Sequence, residues 1–157
     1  VTSMAAAREV EHYGLRGVVV QPALLQVLKN EQAMNVDSLR ETFKKSVTKT
    51  HGWSDLTESE RCTYKTVVDM VEVAARELEF GEVENRLTIV DFGDIGLCGL
   101  YEGGMIRVAR RMLGDLEEFL ATLVHEVAHA SGRDGSVGHE RAEGRLFSRI
   151  VARQLRS

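Results

Sequence analysis

Apolar residues recur along this chain with two different periods, and the change between them falls near residue 80. Before that point the spacing is helical. Thr57 and Glu60 form a capping-box pair, and an apolar stripe at intervals of three and four follows them. The stripe comprises Tyr64, Val67, Val68, Val71, Ala74 and Leu78. This pattern predicts a long helix that ends before Gly81.

Two earlier helices are predicted upstream of this one. The first begins at Pro22, where a missing N–H costs nothing. The second is capped by Asp37, and its helically spaced apolar positions are Val36, Leu39, Phe43 and Val47. Residues 1–80 are therefore predicted to form a helical N-terminal segment that acts as a prop, a regulatory element or a docking element.

After residue 80 the pattern turns to strands followed by helices. LTIVDF (87–92) is short and β-branched, and GLYEGGMIRVARR (99–111) indicates two strands around a glycine turn. Asp115 and Glu118 then open a helix that Gly132 ends, and a polar, glycine-rich loop (132–138) leads to a last helix from His139. We predict an α+β fold in which residues 81–157 form a second unit.

Charge and composition exclude several classes of protein. The net charge is −4, and residues 1–80 carry ten basic and twelve acidic side chains, as do residues 81–157. Nucleic acid is therefore not expected as a partner, although Lys44, Lys45 and Lys49 follow a segment that could form a helix-turn-helix. The chain lacks a run of about 18 apolar residues, so we expect no membrane partner.

Two cysteines, Cys62 and Cys98, are too few for a disulfide scaffold, and they favour a reducing, cytoplasmic setting. Cys98 is interpreted as a small buried side chain rather than a metal ligand. The chain opens on Val1, and we expect it to be part of a larger multidomain protein.

The strongest chemical signal is HEVAH, residues 125–129, on the helix after the strand pair. At about 100° per residue, Leu116, Leu120, Leu123 and Val127 share one face of that helix, which we assign to the core. His125 and His129 lie together on the opposite side, one turn apart, where both imidazoles can reach one ion.

Neutral imidazoles suit Zn²⁺, and catalytic zinc typically has three protein ligands with water in the fourth position. The ion lowers the pKa of that water, and Glu126, beside the first histidine, would take its proton and pass it to the leaving amine. Glu126 is thus predicted to be the general base rather than a ligand.

The third ligand has two main candidates, His139 and Glu143, four residues apart on the buried side of the last helix with Leu146 and Ile150. We favour His139, because the ten residues from His129 allow a tight loop and return. Glu143 is the alternative ligand, or else an outer-shell acceptor that orients a histidine. Glu140 and Asp134 rank behind both.

With these residues, the segment 86–155 resembles the zincin metallopeptidases. ATLVHEVAHA after GLYEGGMIRVARR is similar to the ImmA/IrrE-type minimal gluzincins, whose third ligand is a glutamate. DGSVGHE, with a histidine opening the last helix, is closer to SprT-like and WLM-type proteases. The metzincin pattern fails, since Gly135 stands where its third histidine would be.

The resemblance implies that MIRVARR is the edge strand above the active helix, to which an extended peptide adds as one more strand. Arg107, Arg110 and Arg111 would then favour acidic substrate segments, unless they are ordinary surface arginines. Tyr101 could donate to the oxyanion, but we interpret it as a packing residue.

The predicted function is zinc-dependent hydrolysis of peptide bonds, with His125, His129 and His139 on the ion. Two alternatives stay open. The chain could be a non-catalytic zinc-binding or protein-interaction module that retains the fold. It could also be a helical interaction or DNA-binding protein that carries the motif by accident.

Overall fold

The computed structural model describes residues 45–157, of which residues 47–157 form one compact unit. The unit is α+β, as predicted. Its strands are β1 (Val47–His51), β2 (Leu87–Phe92), β3 (Gly99–Glu102) and β4 (Met105–Ala109), and its helices are α1 (Glu58–Glu77), α2 (Leu116–Ala128) and α3 (Val137–Gln154). Within residues 45–157, none of these helices has the length and apolar character to cross a membrane. The helices predicted from Pro22 and Asp37, and most of the helix-turn-helix segment, lie outside the described residues.

The four strands form one mixed sheet in the order β1-β2-β4-β3. β2 runs parallel to β4, and both outer pairings are antiparallel. The prediction that MIRVARR is the edge strand was wrong: β4 lies inside the sheet, and β3 is at the edge. The reason is that β4 has a hydrogen-bonded neighbour on each side, β2 on one and β3 on the other. Its side chains Ile106 and Val108 are completely buried. Gly103 and Gly104, at φ +58° and +80°, supply the tight hairpin turn.

Strand β1 was not predicted, and Val47 was assigned to a helix. Its residues are β-branched or polar, and only His51 is buried, so no apolar alternation marks the strand. Its hydrogen bonds to β2 hold it in the sheet. Because β1 completes the sheet and α1 packs on α2 and α3, residues 47–80 belong to the same compact unit as the rest. The predicted boundary at residue 80 lies inside that unit.

The three helices enclose the core against the sheet. α1 begins with the predicted Thr57–Glu60 capping box, and its buried face contains Val67, Val68, Val71, Ala74 and Ala75. On α2 the buried face centres on Phe119 and Leu123 rather than on Leu116, which is 43% exposed. Burying a side chain such as Leu123 contributes about 1.5–3 kcal/mol, so packing of this face orients α2. His125, which is only partly buried, does not belong to this packed face.

Arg110, which follows β4, ties the sheet to α1. Its Nε and Nη2 donate to the two carboxylate oxygens of Glu60 at 2.9 Å each, and Nη2 also donates to the Asp55 carbonyl oxygen. This bidentate pairing lowers the pKa of Glu60 to about 2, so the pair stays ionised at any physiological pH. Arg107 pairs with Glu102. We therefore assign Arg110 to the structure of the unit rather than to an acidic substrate.

Candidate metal centre

The end of α2 carries the first two histidines of the candidate site. His125 lies in its last turn, and His129 begins the short 3₁₀ turn that follows. Their ring centroids are 5.1 Å apart. The two rings thus sit side by side at the point where the chain leaves the helix.

The start of α3 brings in a third histidine. Ser136 caps this helix by accepting a hydrogen bond from the His139 N–H at 3.2 Å, so α3 begins at Val137, two residues earlier than predicted. The His139 ring is buried, and its centroid lies 4.6 Å from that of His125 and 4.5 Å from that of His129. The three histidines of the sequence prediction therefore meet in one cluster.

A carboxylate oxygen completes the cluster. Asp134 Oδ1 lies 3.0 Å from His125 Nε2, 3.3 Å from His129 Nε2 and 3.9 Å from His139 Nε2. Ligand atoms at 2.0–2.2 Å from a tetrahedral zinc are about 3.3–3.6 Å from one another. The four side chains each offer a ligand atom within 4.8 Å of the others, so small side-chain movements bring them onto a single ion.

The outer ring nitrogens of two histidines also have partners suited to metal ligands. His129 Nδ1 donates to the Gly132 carbonyl oxygen at 3.1 Å, which leaves Nε2 with a free lone pair facing the cluster. His125 Nδ1 lies 3.6 Å from Glu143 Oε1. Glu143 thus lies on the outer side of His125. This is where an outer-shell acceptor, the second role considered for Glu143 from the sequence, would lie.

His139 is arranged differently. Its Nε2 lies 3.1 Å from the carbonyl oxygen of His125, and since that oxygen only accepts, the ring nitrogen donates to it. Binding of an ion through this nitrogen would replace that hydrogen bond and move the ring proton to Nδ1.

Glu126 lies beside the cluster on the inner side of α2. It is only 5% exposed, and the Tyr101 N–H donates to its carboxylate. Within the described part of the chain its Oε2 has no hydrogen-bond partner, and it lies 3.9 Å from His129 Nε2. An unpaired buried polar atom costs about 1–3 kcal/mol, which indicates a role other than packing.

Burial is the main cause that raises the pKa of Glu126 to about 7, and the negative charge of Asp134 adds to it. The N–H of Tyr101 acts in the opposite direction, because it stabilises the carboxylate. A divalent cation at the cluster would also lower this pKa, since an opposite charge favours the ionised form.

The edge strand β3 leaves room for that carboxylate only because Gly99 has no side chain. A Cβ at this position would lie 2.6 Å from Glu126 Oε1 and 2.8 Å from its Cγ. Gly99 therefore determines where the Glu126 carboxylate can lie.

We expect Gly99→Ala to displace this carboxylate and to lower the peptide hydrolysis predicted from the sequence by at least about tenfold, since small misplacements of catalytic groups are costly. The zinc content should stay the same, because Glu126 is not among the ligand atoms. Zinc analysis beside a peptide-cleavage assay tests this, with Gly144→Ala, where no atom lies within 4 Å of the added Cβ, as the matched control. Unchanged cleavage by Gly99→Ala would contradict the assignment of Glu126.

Sequence reasoning missed the part played by Tyr101. Its ring stacks on His129 with centroids 5.8 Å apart and planes 18° apart, and its N–H holds Glu126. No local sequence pattern predicts these contacts of Tyr101, because they depend on the packing of β3 against α2. Asp134, which the sequence analysis placed behind His139 and Glu143, lies in the cluster for a similar reason. Cys98 lies outside the cluster, with its thiol near the Gly96 carbonyl and the Arg111 guanidinium.

Comparison of the chain with protein-family models, with curated proteins and with solved structures found no match.

Proposed function

We propose that this chain is a zinc-dependent metallopeptidase, an endopeptidase with a zincin-like unit made of the short sheet, α2 and α3. The observation that carries the proposal is the convergence of three imidazoles on one point with a buried, partly unpaired carboxylate beside them. His125, His129 and His139 would hold the ion. In the zincin pattern the same pentapeptide supplies two ligands and the base.

When bound, zinc would lower the pKa of a water molecule and polarise the carbonyl of the scissile peptide bond. Glu126 would act as the general base, accepting a proton from the attacking water and passing it to the leaving amine. Tyr101 holds Glu126 through its backbone N–H, while Gly99 keeps the space that the carboxylate occupies. The Gly132 carbonyl oxygen orients the His129 ring, and Glu143 lies 3.6 Å from the outer nitrogen of His125.

The substrate proposed is an extended peptide or protein segment that adds to the outer edge of β3 through the backbone groups that remain beside the Tyr101 N–H, which the Glu126 carboxylate already occupies. The Ala109 N–H donates to the Cys98 carbonyl oxygen, and hydrogen-bonded positions alternate along an antiparallel pair. Consequently the backbone groups of Gly99 and Tyr101 face away from β4, towards the outer edge. An added strand there would pass close to the Glu126 carboxylate.

We further propose that the protein works in the cytoplasm. Cys62 and Cys98 are both free thiols, which suits a reducing compartment.

A non-catalytic zinc-binding module is the second candidate. Asp134 favours it, since structural zinc sites have four protein ligands and catalytic sites keep one position open. In that case the ion would tie α2 to α3 without any hydrolysis.

Metal removal tests the proposal. Protein refolded with zinc should contain about one ion per chain and cleave a random-sequence library of quenched fluorescent peptides. We expect 1,10-phenanthroline to remove both zinc and cleavage, and added zinc to restore both. A protein that takes up no zinc during refolding would rule out both the enzyme and the zinc module, whereas stable zinc without cleavage in any library would favour the module.

A further inference from the structure

Asp134 lies where a fourth ligand of the ion would lie. We propose that its carboxylate is a fourth protein ligand, which closes the metal centre and keeps the peptidase latent until the Asp134 side chain turns away into solvent. This inference rests on the proposed function, because it assigns a regulatory state to the same ion.

The position of the Asp134 carboxylate supports its assignment as a ligand. The Asp134 side chain is 72% exposed, so it could be fully hydrated by pointing into solvent. Instead a single oxygen, Oδ1, lies within 3.9 Å of three imidazole nitrogens. Because His129 Nδ1 donates to the Gly132 carbonyl oxygen, it is Nε2 that faces Asp134, and in a neutral ring this atom carries a lone pair. A cation between these atoms satisfies the oxygen and the nitrogens together.

The structure of the loop supports the proposal that Asp134 can leave the ion. The histidines lie on α2, on the turn after it and on α3, and two contacts that hold them, the Gly132 carbonyl oxygen on His129 and the Ser136 cap of α3, come from the loop that carries Asp134. The start of α3 is capped by Ser136, so it does not depend on Asp134. Gly135, next to Asp134, has φ +72°, which a glycine adopts without strain. The Asp134 side chain can therefore turn out of the cluster while Gly132, Ser136 and the three histidines stay in place.

The consequence is a centre with two states. With Asp134 in place, the coordination position that a catalytic site keeps for water or substrate is filled by protein. With Asp134 turned into solvent, the three histidines and Glu126 form the open arrangement that hydrolysis requires. Because the side chain is mostly exposed, the movement breaks little packing.

The test compares wild type with Asp134→Ala in the full chain, with Glu140→Ala as the matched control. Glu140 is an exposed acidic residue that neighbours His139 and is not among the clustered ligand atoms. Zinc affinity is measured by competition with a chromophoric chelator. The visible spectrum of the Co²⁺-substituted proteins reports coordination, and azide, an anion that binds open positions, is titrated into each.

We expect Asp134→Ala to bind zinc at least about tenfold more weakly, since even outer-shell partners change metal affinity by about 10–100-fold. Its Co²⁺ spectrum should respond to azide at concentrations at least about tenfold lower than wild type requires. Glu140→Ala should match wild type in both. Equal zinc affinity and equal azide response in wild type and Asp134→Ala would overturn the assignment and leave the proposed function standing. Failure of wild type to bind either metal would overturn both.

Cleavage of the random-sequence peptide library tests latency separately. If Asp134 blocks the centre, Asp134→Ala cleaves faster than wild type at saturating zinc. If the metal data assign Asp134 as a ligand but Asp134→Ala cleaves no faster, latency is overturned and the fourth ligand is structural.

Discussion

Replacing Glu126 by glutamine is expected to abolish peptide hydrolysis while the protein still holds about one zinc per chain. Glutamine has nearly the shape of glutamate but cannot accept the proton, and general acid–base groups contribute about 10²–10⁴-fold to rate. The ligand atoms come from other side chains, so the ion should be unaffected. Cleavage of the peptide library beside elemental zinc analysis measures both.

Glu140→Gln is the matched control for this experiment, since it makes the same change on an exposed residue of α3. It should keep full activity. The Glu126→Gln protein should also be no less stable than wild type, because the substitution removes a buried carboxylate whose Oε2 lacks a partner in the described part of the chain. Hydrolysis by Glu126→Gln at the wild-type rate would remove the general base from the mechanism.

The second large effect concerns the third ligand. His139→Ala should lose zinc, so that the content falls from about one per chain towards zero at zinc concentrations that saturate wild type. Glu143→Ala should keep about one zinc, with affinity lower by about 10–100-fold, because Glu143 lies 3.6 Å from the outer nitrogen of His125. Elemental analysis and a zinc titration of the two variants distinguish these outcomes.

Because His139 is buried, its variant needs a control for folding. His51→Ala removes another buried histidine, one paired with Asp91 at 2.9 Å on the far strands of the sheet, and should retain zinc. Circular dichroism of all variants shows whether each is folded. A folded His139→Ala protein that keeps its zinc, beside a Glu143→Ala protein that loses it, would make Glu143 the third ligand.

Within residues 45–157, local patterns in the sequence predicted most of the secondary structure correctly. The Thr57–Glu60 capping box, the β-branched segment from Leu87 and the paired glycines at 103 and 104 each act over a few residues, so each is readable without the rest of the fold. The same is true of His125 and His129, whose separation of four residues places them one helical turn apart. Strand β1 escaped prediction because its partner, β2, is about forty residues away and it buries almost nothing.

The order of the strands also could not be predicted locally. Whether β3 or β4 forms the edge depends on which of them pairs with β2, a contact between distant segments. That choice places Gly99 and Tyr101 beside Glu126. The edge strand of the site was therefore assigned wrongly from the sequence, although both strands were found.

By itself the sequence determined the α+β class, the helix that carries HEVAH, and the histidines and glutamate that we propose for zinc chemistry, because these depend on residue type and short-range periodicity. Only the tertiary structure decided which further groups meet them. The return of α3 brings His139 into the cluster and sets Glu143 behind His125, and the loop between the helices places Asp134 among the three rings. Such contacts arise when separate apolar faces pack into one core, so no local pattern in the sequence predicts them.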